Sequence, residues 1–494
     1  MTFFAVKPID GTPFGVEIPE HSKNEVDSLI SKAGKASKVL ASQSPSEMAR
    51  LLRTIASEIE TVRTSLIESA CSETALPEAR IAGEITRTTV QFELFARLVE
   101  TGKHLGVAID KADPNYSPAP RPDIRKMNVP LGVVAIFAAS NFPLAFSVAG
   151  GDAASAIAAG NAVVAKAHPS HPNTCAIVAT AIKSALKKCG LSEELFSIVQ
   201  GVNPEITHWL ALHDEIRAIG FTGSEVVGRI LVNLAASRKE PIPVFAEMGS
   251  LNPVFVTSNA ITDRSEALAK GLIDSALIGS GQFCTKPGLI FTPNNSDFIS
   301  TMKAHLATLS VAPLLSKSIA ERYSSAIAKL SLAGKIQIAS GVTNENEFGV
   351  TPTIFITDWA TASTNHELLE EHFGPTTVVI TSDESQYSEI ALSLQGQLTA
   401  TIQGTDADEP AELISILKEK AGRVIWNGFP TGVAVTSAMN HGGPWPSSST
   451  HTTSVGTDAI YRFMRPVSYQ GFGQRVLPIP LQDSNTWSVP QSIN

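Results

Sequence analysis

The segment GSGQFCTKPG, residues 279–288, sets Cys284, one of only four cysteines, among small and flexible neighbours. A cysteine is a nucleophile only as its thiolate, and an electrophile needs room to reach it. Gly279, Gly281 and Gly288 permit a backbone that brings its own N–H groups close to a bound group, the requirement for an oxyanion site. Cys175 and Cys189 fall in helical patterns and read as small core residues, and Cys71 reads the same way. Two further residues suit the same chemistry. Glu247 in VFAEMGS ends an apolar strand and precedes Gly249, which presents either a catalytic carboxylate or an ordinary strand-end acid. Asn141 in AASNFPL follows the strand VVAIFA, where its amide can donate to a developing oxyanion or simply cap the next helix.

A third group suggests a cofactor. GFTGS, residues 220–224, ends a strand and opens a helix, with Gly228 one turn on, so helix N–H groups can face a pyrophosphate. The pattern is not GxGxxG. Lys166, ending AVVAK, can reach a ribose hydroxyl or a phosphate, or be a solvated lysine. His168 and His171 in HPSHP lack a third ligand nearby, so no metal site is expected.

These residues must be positioned by a sheet. From Gly132 onward short β-branched runs (VVAIFA, AVVAK, FSIVQ, IRAIGF) alternate with helical patterns near residues 145–159, 173–188, 204–212 and 225–235, which implies a mainly parallel sheet covered on both faces. Such sheets bind ligands at the carboxyl ends of their strands. A helical region over 23–101 precedes it, and a second α/β series (NPVFVT, LIFT, TIFIT, TTVVIT, LTATIQ, RVIWN) follows Met248. The Pro-rich stretch KADPNYSPAPRPD reads as an arm. The tail from about residue 438 contains AIYRFMRPVSYQGF, too apolar to stay in solvent, and is expected to dock on its own subunit or a neighbour.

The 494 residues, 43% hydrophobic and 17% charged, describe a globular chain of two or three domains. A net charge of −9 without basic runs disfavours nucleic acid as a partner. Residues 127–151 carry no charge but are broken by Pro130, Asn141 and Pro143, so a buried strand and helix are expected there and no membrane span. Scattered cysteines without CxxC spacing, and an N-terminus without a secretory pattern, lead to a cytoplasmic expectation.

Taken together, SNFPL, VVAKAHPS, GFTGSEVVG, AEMGS, GQFCT and EEHFGP resemble, in order along nearly the whole chain, the motifs of the aldehyde dehydrogenase superfamily. The resemblance implies an α/β fold of two Rossmann-type parallel-sheet domains with a small oligomerisation arm. Residues 1–112 and 133–247 would form the dinucleotide-binding domain, 248–437 the catalytic domain, and 113–132 with 438–494 the arm and C-terminal tail. It implies Cys284 as nucleophile, Glu247 as the acid activating the deacylating water, and Asn141 as oxyanion donor. Lys166 would hold the adenosine ribose, Phe221, Gly223, Ser224 and Gly228 the pyrophosphate turn, and Glu371 with Phe373 the nicotinamide ribose. NADP is the expected cofactor, with NAD possible, because Pro169 stands where many NAD-preferring members carry Glu; His168, Ser170 or Arg238 would meet a 2′-phosphate.

NGFPTGV, HGGPWP, TTSVGT and YRFMRPVSYQ resemble the α-ketoglutaric semialdehyde (2,5-dioxovalerate) dehydrogenase branch, which also includes an NADP-linked fatty aldehyde dehydrogenase. His451 stands where that branch commonly has Arg. Arg462 and Arg465 are candidate partners for a substrate anion, or else ordinary ion-pairing residues. A homodimer or homotetramer is expected. The competing class is a cofactor-independent cysteine hydrolase or acyltransferase with one of the 11 histidines as base, although none stands out in the sequence.

Overall fold

The computed structural model describes residues 1–332 and 336–494. Helices Lys23–Leu40 and Pro45–Thr61 begin with capping boxes, Ser22 with Glu25 and Ser44 with Glu47, in which each side chain satisfies the other residue's free N–H. With Arg63–Thr74 and Glu78–Glu100 they form the helical region expected ahead of the sheet. Their apolar stripe, including Leu51, Leu52, Ile55 and Ile59, is fully buried.

Five parallel strands follow, in spatial order Phe196–Val199, Ala162–Lys166, Val133–Phe137, Ile216–Thr222 and Val244–Glu247. Every residue of Val133–Phe137 is buried, as a strand covered on both faces requires. The helix expected near 145–159 is shorter, Gly151–Ala158. Residues 144–150 form a tight turn instead, because the carboxylate of Glu84 accepts from the N–H groups of both Leu144 and Ala145 at 2.9 Å.

A second sheet has seven strands, in order Gln337–Ser340, Thr353–Asp358, Thr376–Thr381, Leu289–Thr292, Val254–Val256, Gln397–Gln403 and Ala421–Trp426. All pair in parallel except the first with the second. A smaller sheet joins Met464–Gln470, Ile124–Pro130, Val107–Asp110 and Gln491–Ile493. The tail thus docks on its own chain: Met464–Gln470 runs antiparallel to Ile124–Pro130, and Ile460 and Phe463 are fully buried. Arg125 pins this sheet through Asp123 at 2.9 Å and Asp483 at 2.7 Å. Among the described residues no helix is long and apolar enough to cross a membrane.

Candidate active site

A cleft of about 1230 Å³ opens along the carboxyl ends of the five-stranded sheet and is closed on its other side by residues 315–326 and 371–373. Lys166, Phe221, Thr222 and Glu247 reach it as the last residues of their strands, and Ser140 and Asn141 reach it from the turn after Val133–Phe137. Cys284 lines it as well and is partly exposed.

The Cys284 loop is built by backbone geometry. Helix Ser258–Leu277 ends in a 3-10 turn in which Gly279, Ser280 and Gly281 all take positive φ. Gly281 is required there, since a Cβ would lie 2.1 Å from the carbonyl oxygen of Gly374. Asn252, itself at positive φ, donates through Nδ2 to the carbonyls of Cys284 (2.7 Å) and Lys286 (2.9 Å) and so holds the chain on both sides of the thiol. Asn141 Nδ2 donates to Gln282 O at 2.8 Å, which puts the amide beside the thiol with its donor occupied by the loop.

Glu247 and Cys284 are joined by a residue the sequence did not single out. His441 Nε2 lies 2.8 Å from Glu247 Oε1 and 3.6 Å from Cys284 Sγ. Ser454 Oγ donates to Glu247 Oε2 at 2.8 Å. The ligating atoms of Glu247, Cys284 and His441 all lie within 4.8 Å of one another, the one such group of three among the described residues. His441 arrives because residues 441–454 fold back along the open edge of Val244–Glu247: Ser448 bridges Glu247, and Met248 N donates to Ser447 O at 2.8 Å. Its sequence signal was the Gly-Gly pair after it. A Cβ at Gly443 would lie 2.1 Å from Gln397 O, so this segment needs glycine to pack so closely.

The electrostatics divide the roles. Burial pushes the Cys284 thiol well above its ordinary range, and the charges of Glu247 and Glu371 push the same way against Arg87. Burial also acts to raise Glu247, but His441, Ser454 and Cys284 together outweigh it and hold the carboxyl below its ordinary range. The resting pair is therefore a protonated thiol beside an ionised carboxylate.

The remaining cleft fits a dinucleotide. Helix Glu225–Ser237 points its N-terminus into it, capped by Ser224, with Gly223 on the wall. Lys166 Nζ donates to Ala167 O at 2.8 Å and Gly201 O at 2.7 Å, and burial pulls it down to about 8. His168 and Ser170 line the same end, Glu371 and Phe373 the other. Glu371 sits so close to Gly249 that a Cβ there would lie 2.1 Å from its Oε2. Lys286 Nζ donates to the carbonyls of His372, Gly374 and Thr376, fixing the loop that carries Glu371.

Two expectations need correction, and one open alternative, that for Arg462, is decided. Gly228 does not line the cleft; it lies beneath it, where a Cβ would meet Met248 Sδ at 2.5 Å, so it serves close packing of helix on strand. Arg238 is likewise absent from the cleft wall, its guanidinium spent on Ala211 O (2.9 Å) and Ile216 O (3.0 Å). Arg462 is buried and neutralised by Asp152 at 2.6 Å, while Arg465 is exposed on a sheet strand. Neither of that pair is available to a substrate anion through this cleft.

The aldehyde dehydrogenase family profile matches residues 2–468. The chain is 40% identical over 493 residues to alpha-ketoglutaric semialdehyde dehydrogenase 2 of Azospirillum brasilense, covering 98% of this chain and 93% of that protein. It is 41% identical to alpha-ketoglutaric semialdehyde dehydrogenase of Acinetobacter baylyi, covering 100% of this chain and 95% of that one. Among solved structures, glyceraldehyde-3-phosphate dehydrogenase from Methanocaldococcus jannaschii in complex with NADP shares the fold, with a TM-score of 0.81 at 22% identity over 94% of this chain and 98% of that one.

Proposed function

The chain belongs to the aldehyde dehydrogenase family, and from that premise we propose that it oxidises α-ketoglutaric semialdehyde to α-ketoglutarate with NADP, or NAD, as electron acceptor. The observation that carries the reading is the meeting of Cys284, Glu247 and Asn141 on the wall of a dinucleotide-sized cleft. The names of the two relatives near 40% identity support the substrate. Pro169 beside Lys166, in place of an acid that would repel a 2′-phosphate, supports admission of NADP.

Cys284 Sγ attacks the aldehyde carbon, and its proton passes to His441, whose Nε2 lies 3.6 Å away and which returns it to the thiolate once hydrolysis is complete. The adduct's O⁻ accepts from Asn141 Nδ2, released from Gln282 O, and from the Cys284 N–H. A nicotinamide cofactor held by Lys166, Ser224 and Glu371 would supply the acceptor for the hydride lost from the adduct's C–H, and that loss leaves an acyl thioester on Cys284. Glu247 then takes a proton from water, which attacks the thioester carbon. Collapse expels the thiolate and gives the carboxylic acid. His441 and Ser454 hold the Glu247 carboxylate in place for the proton transfer from water.

The Cys284–His441–Glu247 contacts also suit an acyl transferase working without a cofactor. The cleft opening directly onto Cys284 favours oxidation. Mixing protein, semialdehyde and NADP and following nicotinamide absorbance separates the two: reduction supports the dehydrogenase, and ester turnover without any cofactor binding supports the transferase. A reducing compartment, the cytoplasm, belongs to the same proposal, because all four cysteines are unpaired and the reaction uses one as a thiol. So does a homodimer or homotetramer, supported by the open edge of Met464–Gln470 and exposed Tyr461 and Phe472 beside it; sedimentation at working concentration tests it.

A further inference from the structure

Helix Glu78–Glu100 carries Arg80, Glu84, Arg87 and Gln91 at a spacing that puts all four on one face. That face meets the turn after Asn141. Arg80 lies over the rings of Phe142 (4.3 Å) and Phe283 (4.9 Å), and Arg87 over Phe146 (5.3 Å). Phe146 in turn packs against His441, with ring centroids 6.0 Å apart, and His441 touches the thiol. Arg87 therefore stands two side chains from Cys284. Arg87, Phe146 and Val433 are all absent from the wall of the dinucleotide cleft, which places them on another side of the thiol.

The charges on this face do not balance. Glu84 is fully buried, is held by two backbone N–H groups and has Arg80 at 3.5 Å. Arg87 has no carboxylate within ion-pair distance among the described residues. Its Nη1 donates to Val433 O, but Nε and Nη2 are buried and have no acceptor. Arg423, on strand Ala421–Trp426, repeats the arrangement from the opposite side. It donates to Pro430 O (2.7 Å) and Gly432 O (3.0 Å), keeps a buried Nε without acceptor and has no carboxylate partner. Two unneutralised guanidiniums thus grip one loop, 430–433, and that loop touches the nucleophile segment through Gly432 N and Thr285 Oγ1 at 3.2 Å. A buried guanidinium without a paired anion carries a desolvation cost that the carbonyls and ring face around it offset only in part, and a ligand's anion would complete the pairing. Burial weakens the hold of Arg87 on its proton, and the negative charge of Glu84 opposes this only in part.

We propose that Arg87, assisted by Arg423 across loop 430–433, is the subsite for the distal carboxylate of the substrate, so that the enzyme selects aldehydes carrying an anionic group a few bonds from the carbonyl. The free Nε and Nη2 of Arg87 are adjacent donors on one edge of the guanidinium, the fork that matches a carboxylate. The inference rests on Cys284 as the reacting centre and names what the far end of the substrate must be.

The test compares kcat/KM for succinic semialdehyde, which bears a carboxylate, with that for butanal, its uncharged counterpart, in wild type, Arg87→Gln and Arg87→Lys. The anionic-to-neutral ratio is expected to fall about 10- to 100-fold in Arg87→Gln, mainly through KM, with partial recovery in Arg87→Lys. A ratio that stays constant, including one in which both aldehydes decline together, assigns Arg87 to loop support and overturns the proposal while leaving the dehydrogenase reading intact. Wild type supplies an arm that needs no variant. Succinate should inhibit butanal oxidation competitively with the aldehyde, and less so at high salt; no such inhibition overturns the subsite. Failure of wild type to oxidise either aldehyde would sink the functional reading itself.

Discussion

Replacing Glu247 by Gln should give two effects of opposite sign. Gln keeps the shape and can still accept from Ser454 Oγ, now 2.8 Å from the carboxylate, but it carries no charge and cannot take a proton from water. Loss of a general base at this step should slow steady turnover by on the order of 10²–10⁴-fold while leaving one reduced nicotinamide per active site as a burst, because hydride transfer precedes hydrolysis. The thiol should respond the other way. Glu247 raises its proton affinity from no more than 4.8 Å, a repulsion of about 3 kcal/mol at an effective dielectric near 20. Removing that charge should speed iodoacetamide alkylation of Cys284 at neutral pH by on the order of 10- to 100-fold. Rapid-quench absorbance reads the burst, and peptide mass mapping reads the alkylation. Undiminished steady turnover would remove Glu247 from hydrolysis, and slower alkylation would mean that Glu247 generates the thiolate instead of opposing it.

The other perturbations are simpler. Asn141→Ala should lower kcat about 10²–10³-fold with little change in the dissociation constant for NADP, read by steady-state kinetics and calorimetry. His441→Ala removes the largest influence holding the Glu247 carboxyl down. Its proton affinity then rises, and since activity needs the ionised form, the acid limb of the kcat profile should move to higher pH. An unmoved limb would show that His441 does not tune Glu247. Gly249→Ala puts a methyl 2.1 Å from Glu371 Oε2, so it should weaken NADP binding by about tenfold or more, measurable by fluorescence titration.

How much of this was written in local sequence depends on distance along the chain. Asn141, Lys166 and Glu247 could be found because each ends or follows a recognisable apolar strand, and strand ends are where such sheets present ligands. Cys284 was marked by its glycines. Gly228 was misassigned because a glycine one helical turn in looks the same whether it faces a ligand or a methionine. Residues that act by returning from afar left no local trace. His441 lies 194 positions beyond Glu247, its place fixed by an edge pairing of residues 447–449 that no periodicity announces. Arg462 stood open between a substrate-anion partner and an ordinary ion-pairing residue because Asp152, which decides it, is 310 residues away. Arg87 was not singled out at all, since only the folded chain shows that its Nε and Nη2 are buried without an acceptor.

The central claim is that Cys284 carries an acyl group made by oxidation of the bound aldehyde. Acid-quenching Glu247→Gln with semialdehyde and NADP, then locating the label by peptide mass spectrometry, tests it directly. The account predicts a thioester on the peptide containing Cys284, in step with reduced nicotinamide and absent when the oxidised cofactor is withheld. An acyl group on another residue, or one that forms equally well without the cofactor, would contradict it.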